Sequence, residues 1–573
     1  MRLVVVGGVA GGMSAAARAR RVSEDSEIIV LERGPEVSFA NCGLPYFVGD
    51  EITDAEALLV QTPEKLRESL GLDVRINSDV VACDPVSRTL TVVDPEGAHE
   101  LGYDELIVSP GASALRPPIP GLDSTRVLTL RTVSDAVALK ARAQAGARAV
   151  VLGAGFIGLE AAEALRMRGL ETSVVELAPH VLPPLEPEMA RLVREELVRL
   201  GIDVLDGRSA TEVEHGPDHD TVVLSDGTRL DADVIVLSVG VRPDVSVWEA
   251  AGVGSVAGAI EVDELGRTSV PHIWAVGDAT RSVDGVTGTR RPIALAGPAN
   301  RAGRIVADAV MGRVGHTVPT ALGTAIVRVG ELTAALTGAN RRALAESGIE
   351  YHTVHLHPLN HAGYFPGASQ IHLVLHFGTD GKVLGAQAVG RDGVDKRIDV
   401  FAVAIRAGLK VADLVDLDLA YSPPYGSAKD PVNMAGMMAT NVLDGTLRLW
   451  HAPDLDVVTD GALLLDVRSR EEVADGHLPG ALNIPHVELR DRMEEVRRAA
   501  AGRPVRVMCA SGVRSYLAHR QLAQAGFDSA NLSGGMLTLR AALGPGLDDL
   551  LETGSPSLHT TPIEPSQRVT VGD

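Results

Sequence analysis

The chain has 573 residues, of which 45% are hydrophobic and 22% are charged, and its formal net charge is −22. A chain of this length folds into several domains, and the acidic excess argues against a nucleic-acid partner because phosphate binding depends on clustered cations. Three cysteines are too few for a disulfide framework and indicate a reducing compartment, so we expect a cytoplasmic location. The apolar run of the first segment, MRLVVVGG, is too short for a signal peptide or a membrane span, and we expect neither.

Two stretches in the first half of the chain share one pattern, in which an apolar run is followed by glycines and an alanine-rich segment. The first reads LVVVGGVAGGMSAAARARR and the second reads AVVLGAGFIGLEAAEALRMRG. Each predicts the strand, tight turn and helix that open a doubly wound βαβ unit. Glycines at such a turn let main-chain N–H groups approach a pyrophosphate, so both stretches predict a dinucleotide site.

Each unit continues into a second strand that ends in an acidic residue, Glu32 in the first unit and Glu176 in the second. Their distances along the chain from Gly7 and Gly153 match the spacing of an acid that binds a dinucleotide ribose. A carboxylate there accepts hydrogen bonds from ribose hydroxyls and repels a 2′-phosphate. Glu176 therefore predicts NADH rather than NADPH.

The two turns differ in their glycines, because Val9 stands where the first turn would have its middle glycine. One such pattern alone is explained equally well by a tight turn, but two copies, each with a strand-end acid, favour dinucleotide binding. The predicted cofactor-binding glycines are Gly7, Gly8, Gly11 and Gly12 in the first turn and Gly153, Gly155 and Gly158 in the second.

Together these features resemble the flavin-dependent pyridine nucleotide-disulfide oxidoreductases, which hold FAD in one Rossmann-type site and the nicotinamide in a nested one. The segments LIVSPGAS and TSVPHIWAVGD resemble the crossover strand beside FAD and the element that supplies an Asp to the flavin ribitol. The resemblance covers roughly residues 1 to 443. It implies that FAD binds at the first turn, with Asp278 at the ribitol, and that NADH binds at the second.

The segment EVSFANCGLPYFVGD contains the first cysteine, Cys42. Family members that reduce glutathione or lipoamide use two cysteines separated by four residues, but here the second position is Phe47. One thiol remains, which can cycle as a mixed disulfide, a persulfide or a sulfenic acid. A small buried hydrophobe is the alternative role, and we assign it to Cys83. For Cys42, SFANCGLPY resembles the single-cysteine motif of coenzyme A disulfide reductases and NADH-dependent persulfide reductases, which implies a catalytic thiol.

The same resemblance implies a coenzyme A site. Arginines of the first predicted helix match positions that contact the ADP-phosphates of coenzyme A in these enzymes, although a solvated helix face explains arginines equally well from the sequence alone. The implied coenzyme A ligands are Ser14, Arg18, Arg21, Ser38, Asn41, Asn300 and Lys429.

Two later segments, NHAGYFPGAS and AYSPPYGSAKDPVN, resemble stretches in which the partner subunit of a homodimer sends tyrosines to the active site. Tyr364 or Tyr425 is implied as the proton donor to the leaving thiolate, and Tyr421 as a residue that approaches FAD. The choice between the tyrosines stays open, because Phe365 stands where relatives can have a second tyrosine.

The C-terminal region contains LLLDVRSREEVADGHLPGALNIPH and VRVMCASGVRSYLAHRQLAQAGF, which resemble the two halves of a rhodanese (sulfurtransferase) domain. Cys509 ends a predicted buried strand, and a six-residue loop leads from it to Arg514 and into a helix. Such a loop directs N–H groups at one sulfur, and Arg514 adds positive charge, so a thiolate and its persulfide are both favoured. A regulatory domain without activity and a phosphatase of related fold are the alternatives.

The predicted fold is α/β, with two nested Rossmann-like domains, an α+β dimerisation domain and a C-terminal rhodanese domain. The period-2 segments QIHLVLHF and KVLGAQAVG predict strands of the α+β domain, and ALLLDVRS and PVRVMCASG predict buried strands of the C-terminal domain. The predicted boundaries are 1–115 and 239–315 for the FAD domain, 116–238 for the NAD(P)H domain, 320–443 for the dimerisation domain and 455–550 for the rhodanese domain, followed by a disordered tail at 551–573.

The predicted function is the NADH- and FAD-dependent reduction of coenzyme A persulfide, polysulfide or disulfide through Cys42, with Cys509 handling sulfane sulfur and no metal. A peroxidase is disfavoured because the first turn, GGVAGG, has no histidine. Two alternatives stay open: an NADH oxidase with a fused sulfurtransferase domain, and a sulfur-carrier or redox-sensing protein.

Overall fold

A computed structural model describes residues 1–313 and 315–554 of the chain. These residues form two compact units, one comprising Met1–Val181 and Leu197–Gly323, the other comprising Leu182–Glu196 and the residues from Thr324 onward. Most of the predicted tail, from residue 555, lies outside the described residues, whereas Glu552 pairs with His477 of the last domain. Within the described ranges, no helix is both long enough and apolar enough to cross a membrane.

The first sheet consists of five parallel strands, and alternate residues of its central strands enter two separate cores. Leu3 and Val5 pack beneath the helices Ala10–Val22 and Ala296–Val310, while Val4 and Val6 pack against a three-stranded antiparallel sheet. Burial on both faces explains the continuous apolar runs of these strands. In spatial order the parallel strands are Ile273–Ala275, Glu105–Val108, Arg2–Val6, Glu27–Leu31 and Asp73–Arg75, and the antiparallel strands are Asp79–Asp84, Thr89–Asp94 and Gly97–Gly102.

The second sheet repeats this plan. Its five strands are all parallel, and a three-stranded antiparallel sheet covers one face through residues such as Val213 and Val222. The repetition confirms the predicted pair of Rossmann-like units. The parallel strands are, in spatial order, Ile202–Leu205, Glu171–Val175, Arg148–Leu152, Val234–Leu237 and Val127–Leu128, and the antiparallel strands are Ala210–Glu214, Asp220–Leu224 and Arg229–Ala232.

The third sheet is antiparallel and contains the two strands that were predicted from period-2 patterns. Those strands, Ile371–Gly378 and Val383–Gly390, are buried on both faces rather than on one. Helix Val394–Ala407 covers one face, and the segment at Glu186 contacts Gln387 from the second strand. The strands are, in spatial order, Ala325–Val329, Leu332–Gly338, Val383–Gly390, Ile371–Gly378 and Tyr351–Leu356.

The C-terminal domain is a three-layer α/β unit around a parallel sheet. Leu463, Leu465 and Val505 face one core, and Leu464 and Met508 face the other. The predicted buried strands around LLLD and VRVM are therefore confirmed. In spatial order the strands are Leu449–Trp450, Ser529–Leu532, Val505–Met508, Leu463–Asp466 and Leu482–Asn483.

The remaining elements complete the chain. Three two-stranded ladders pair Ala112–Ala114 with Val241–Pro243, Ser255–Val256 with Ala259–Ile260, and Arg281–Val283 with Arg290–Pro292. The α-helices are Ala10–Val22, Leu44–Val48, Pro63–Leu70, Val133–Arg142, Phe156–Met167, Pro187–Arg199, Ser246–Ala250, Ala296–Val310, Arg341–Glu346, Val394–Ala407, Val411–Val415, Pro431–Leu443, Leu455–Gly461, Arg470–Ala474, Met493–Ala500, Val513–Gln524, Gly535–Leu543 and Pro545–Leu550.

Candidate active sites

The two predicted glycine turns have the same backbone geometry. Gly7 has φ of +101° and Gly153 has φ of +100°, a region that L residues rarely adopt. A Cβ at Gly7 would lie 2.0 Å from the Ser109 carbonyl oxygen, and a Cβ at Gly153 would lie 2.5 Å from that of Ser238. Both positions therefore require glycine for the fold itself.

The two predicted strand-end acids occupy matching positions beside these turns. Glu32 accepts a hydrogen bond from the main-chain N–H of Gly8 at 2.7 Å, and Glu176 accepts one from the N–H of Ala154 at 2.6 Å. Each carboxylate thus stands at the end of the second strand and next to the turn, where a ribose would lie. At the second turn this arrangement favours a diol over a 2′-phosphate.

The helices that follow the turns begin in a way that suits an anion. Among the described residues, neither Ala10–Val22 nor Phe156–Met167 has a side-chain cap or an acidic residue in its first turn. By contrast, helix Val133–Arg142 has a full capping box formed by Thr132 and Asp135. Uncapped N–H groups together with the helix dipole favour a bound phosphate. Both turns therefore fit a dinucleotide.

The middle glycine of the second turn, Gly155, is not required by the surrounding protein. A Cβ at Gly155 would meet no described atom within 4 Å, and the φ of Gly155 is −75°, which any residue adopts. The corresponding Val9 has φ of −115°. The protein backbone therefore accepts a side chain at this position, and the valine of the first turn does not distort it.

Asp278 lies in the turn Gly277–Ala279 that follows strand Ile273–Ala275. Burial raises the pKa of its carboxyl group, and Arg131, 4.0 Å away, opposes that shift. The turn also approaches the first glycine turn, because a Cβ at Gly11 would lie 3.6 Å from Cα of Gly277. This position beside the turn fits the implied role of Asp278 as a hydrogen-bond acceptor for the flavin ribitol.

Cys42 lies in the single 3₁₀ turn Asn41–Gly43. The preceding segment is held against the first glycine turn, since the N–H of Ser38 donates to the carbonyl oxygen of Gly8 at 2.8 Å. Cys42 is exposed as a residue, yet partial desolvation raises the pKa of its thiol, and the charge of Glu160 raises it further. The surrounding protein alone therefore favours the thiol over the thiolate.

The predicted coenzyme A ligands of the first unit differ in their surroundings. The hydroxyl of Ser14 donates to Asn300 Oδ1 at 2.7 Å, so the structure brings these two residues together. Arg18 forms an ion pair with Asp308 at 2.7 Å, whereas Arg21 is exposed. Arg21 is thus the more accessible of the two predicted arginines.

The predicted tyrosines belong to the second unit, and the structure brings two of them together. The hydroxyls of Tyr364 and Tyr421 lie 3.3 Å apart, and this hydrogen bond raises the pKa of Tyr364. Tyr364 and Tyr425 are 77% and 72% exposed, and Lys429 is exposed as well. These side chains are therefore accessible to another molecule.

Cys509 lies directly after strand Val505–Met508 and is completely buried. Its Sγ accepts hydrogen bonds from the N–H of Gly512 at 3.2 Å and from the hydroxyl of Ser515 at 3.1 Å. Gly512, whose φ is +89°, is the N-cap of helix Val513–Gln524. Two donors and a helix N-terminus stabilise negative charge on this sulfur.

Two residues of this loop site were not predicted from the sequence. The hydroxyl of Ser515 donates to Cys509 Sγ, and the carboxylate of Glu472 accepts hydrogen bonds from the two terminal guanidinium nitrogens of Arg514, at 2.7 Å each. The ion pair lowers the pKa of Glu472 to about 2. The pattern Ser469–x–x–Glu472, a capping box, identifies the start of a helix but does not indicate this contact with Arg514.

The wall of the Cys509 loop is formed by residues 533–537, a connection that runs into the first turn of helix Gly535–Leu543. The N–H of Met536 donates to the carbonyl oxygen of Cys509, and that of Leu537 to the carbonyl oxygen of Ala510, each at 2.9 Å. A Cβ at Gly535 would lie 2.5 Å from the Cys509 carbonyl oxygen. The loop conformation therefore depends on close contact with this connection.

A buried polar chain links the same connection to the antiparallel sheet. Ser533 Oγ lies 2.8 Å from His355 Nδ1, and His355 Nε2 lies 2.8 Å from Glu188 Oε1. Arg341 continues the chain by bonding both Glu188 and Glu186. Ser533, His355, Glu188 and Glu186 are buried, so this chain of hydrogen bonds is a packing contact between the C-terminal domain and the antiparallel sheet. Among the described residues, no cluster of three or more His, Cys, Asp or Glu suits a metal ion.

Three protein families match parts of the chain. Residues 1–303 match the pyridine nucleotide-disulphide oxidoreductases, residues 324–431 match the dimerisation domain of that family, and residues 454–542 match the rhodanese-like domain. Together the matches follow the order of domains described above.

Individual proteins extend these similarities. The chain is 34% identical to a coenzyme A disulfide reductase of Staphylococcus haemolyticus, over 77% of this chain and 100% of that protein, and 32% identical to an NADH oxidase of Methanocaldococcus jannaschii, over 76% and 98%. The structure of reduced Bacillus anthracis CoADR-RHD superposes with a TM-score of 0.92 at 42% identity, covering 95% of this chain and 98% of that one. The structure of an NAD-dependent persulfide reductase from A. fulgidus superposes with a TM-score of 0.88 at 36% identity, covering 94% and 100%.

Proposed function

Because the chain belongs to the pyridine nucleotide-disulphide oxidoreductase family and carries a rhodanese-like domain, we propose that it is an FAD-dependent NADH oxidoreductase. Its proposed substrates are coenzyme A persulfide, polysulfide or disulfide. Cys42 is the redox thiol, and Cys509 handles sulfane sulfur. The protein works as a homodimer, in keeping with its match to the family's dimerisation domain.

The observation that carries this proposal is the isolation of Cys42 within its segment. The position that holds a second cysteine in dithiol reductases is Phe47, which is buried in helix Leu44–Val48. Cys83 lies in the separate strand Asp79–Asp84, where it packs against the apolar core and Tyr103. With no cysteine partner in its own segment, Cys42 requires a sulfur atom of the substrate to form its disulfide.

The residues around the first turn bind and orient the cofactor. The uncapped N–H groups of the first turn would hold the pyrophosphate of FAD. Glu32 would accept hydrogen bonds from the ribose hydroxyls, and Asp278 would accept one from the ribitol. When bound, FAD would carry two electrons from NADH to the disulfide. Glu176 and the second turn place NADH, and Glu176 selects it against NADPH.

The coenzyme A site of this proposal lies across the dimer interface. Ser14, Asn300 and Arg21 recognise the nucleotide end, with Ser38 and Asn41 flanking the thiol. Arg18 contributes once its pair with Asp308 opens. Lys429 pairs with a phosphate, and Tyr364 or Tyr425 of the partner subunit protonates the departing thiolate or sulfide. Tyr421 approaches the cofactor and holds Tyr364 through their hydroxyl contact.

The deciding experiment is anaerobic NADH oxidation with coenzyme A persulfide and, separately, with coenzyme A disulfide. Wild type, Cys42→Ser and Cys509→Ser are compared, with released sulfide measured in the persulfide assay. We expect Cys42→Ser to lose both activities and Cys509→Ser to retain both. Retention of activity by Cys42→Ser would overturn the proposal.

The oxidase alternative has support of its own, because an NADH oxidase is among the relatives. It predicts that oxygen alone sustains NADH consumption as fast as the sulfur substrates do. Negligible turnover with oxygen and with both sulfur substrates would instead favour a sulfur-carrier or redox-sensing role.

A further inference from the structure

The arginine of the Cys509 loop is paired with a carboxylate. The cation of the loop, Arg514, is held by both oxygens of Glu472 in a two-pronged ion pair, the strongest arrangement available to a guanidinium and a carboxylate. Arg514 therefore stabilises the Cys509 thiolate at longer range but presents little net positive charge to an incoming anion.

The second arginine near this loop is also paired. Asp466 is aligned with Met508, the residue before Cys509, on the adjacent strand. Arg468 donates to both oxygens of Asp466 and to the carbonyl oxygens of Glu472 and Gly476. All three guanidinium nitrogens of Arg468 thus donate to protein acceptors, so Arg468 does not replace the charge that Glu472 removes from Arg514.

Two exposed apolar side chains follow the loop. Val513 and Leu517 follow the loop on the first turns of helix Val513–Gln524, and they are 59% and 48% exposed. Residues four apart lie on one helix face, so these two side chains form a single apolar edge. Such an edge suits the organic group of a thiol compound better than a strongly hydrated oxoanion.

We infer that Glu472 determines which sulfur donor Cys509 uses, by selecting organic persulfides against dianionic thiosulfate. The inference rests on the proposed sulfur transfer at Cys509 and specifies its donor. A persulfide carries one negative charge or none, whereas thiosulfate carries two, shared between its outer sulfur and the oxygens of its central sulfur. A thiolate beside two arginines that are each paired with a carboxylate repels thiosulfate more strongly than a persulfide.

The reaction is the same displacement for both donors. The Cys509 thiolate attacks the terminal sulfur of R–S–SH, a new S–S bond forms, the old S–S bond breaks, and the electron pair leaves with R–S⁻ while the proton stays with the transferred sulfur. With thiosulfate the leaving group is sulfite, which takes the electron pair. No external oxidant or reductant is needed in either case.

The test measures how fast Cys509 of the full-length protein gains one sulfur atom, by mass spectrometry of its peptide, with cysteine persulfide or thiosulfate as donor. We expect wild type to react at least about tenfold faster with the persulfide. In Glu472→Gln the charge of Arg514 is no longer balanced by a carboxylate and attracts thiosulfate. The ratio of the persulfide rate to the thiosulfate rate should therefore fall by about fivefold or more.

Two matched variants separate charge from structure. Glu471→Gln makes the same charge change on the exposed neighbouring residue and should keep the wild-type ratio. Glu472→Asp keeps the carboxylate and should also keep it. Equal rates with both donors in wild type, or an unchanged ratio in Glu472→Gln, would overturn the inference while leaving sulfur transfer intact. Failure of Cys509 to gain sulfur from either donor would overturn the proposed transfer itself, and this inference with it.

Discussion

His355 of the dimerisation domain and Ser533 of the rhodanese-like domain make two contacts with each other. The main-chain N–H of His355 donates to Ser533 Oγ at 3.1 Å, and the ring Nδ1 lies 2.8 Å from the same oxygen. Because Nε2 faces the carboxylate of Glu188, the proton of a neutral ring belongs on Nε2, and the Ser533 hydroxyl then donates to Nδ1. The two domains are therefore joined by an oriented chain of buried hydrogen bonds.

Substituting His355 should loosen the rhodanese-like domain. His355→Ala leaves Ser533 and one oxygen of Glu188 buried without this partner, and such a loss costs about 3 kcal/mol. We expect a lower midpoint in thermal unfolding of the full-length protein and an earlier, separate transition for the rhodanese-like domain. Ser533→Ala should cost less, about 1 kcal/mol, and the double variant should be less destabilised than the sum of the two single variants. Strict additivity would show that the contact is not a coupled one.

Acid should destabilise the contact around His355 at a pH above that at which Glu186 and Glu188 titrate. Burial lowers the pKa of His357 and of His451 to about 3, while an unfolded histidine titrates near 6.5. Below pH 6.5 these two histidines are therefore protonated in the unfolded chain but neutral in the folded protein, so the free energy of unfolding falls as the pH drops toward 3. By pH 5 each ring should cost about 2 kcal/mol.

Thermal unfolding between pH 7 and pH 5 measures this dependence. The variant His357→Gln/His451→Gln removes both titrating rings and should show a shallower loss of stability with falling pH than wild type. An identical slope in the two proteins would contradict the role of these histidines.

The predictable parts of the molecule were those encoded by residues close together in the chain. Each glycine turn and its acid lie within one βαβ unit, so spacing alone located Glu32 and Glu176. Contacts between distant elements gave no comparable signal: His355 and Ser533 are 178 residues apart, and Glu472 and Arg514 are 42 apart. Both pairs depend on how whole elements pack, which periodicity does not report.

Burial patterns show the same limit. Strands Ile371–Gly378 and Val383–Gly390 were expected to alternate, yet their sheet is covered on both faces because residues from far earlier in the chain, around Glu186, pack on it. The polar residue Gln387 in that buried strand bonds the N–H of Glu186, so it is part of the packing rather than of a solvent face.

Coenzyme preference should depend on Glu176. We expect wild type to use NADH with a kcat/KM at least about tenfold above that for NADPH, because the carboxylate repels a 2′-phosphate. Glu176→Ala should reduce this ratio by about tenfold, chiefly by lowering kcat/KM for NADH. Glu171→Ala removes a carboxylate from the exposed far end of the same strand and should leave the ratio unchanged. A wild type that prefers NADPH would disprove the assignment.

The reactivity of Cys42 should depend on Glu160, which lies on helix Phe156–Met167 and accepts a hydrogen bond from Tyr46 at 3.2 Å. The negative charge of Glu160 raises the pKa of the Cys42 thiol, so Glu160→Gln should lower that pKa and increase the thiolate fraction at neutral pH. Alkylation of Cys42 by iodoacetamide at pH 7.5, followed on its peptide by mass spectrometry, should become roughly threefold faster. Glu68→Gln, at an exposed position of helix Pro63–Leu70, makes the same charge change and should have no such effect. If Glu160→Gln and Glu68→Gln react alike, desolvation alone sets the reactivity of Cys42, and Glu160 does not hold the thiol in its protonated form.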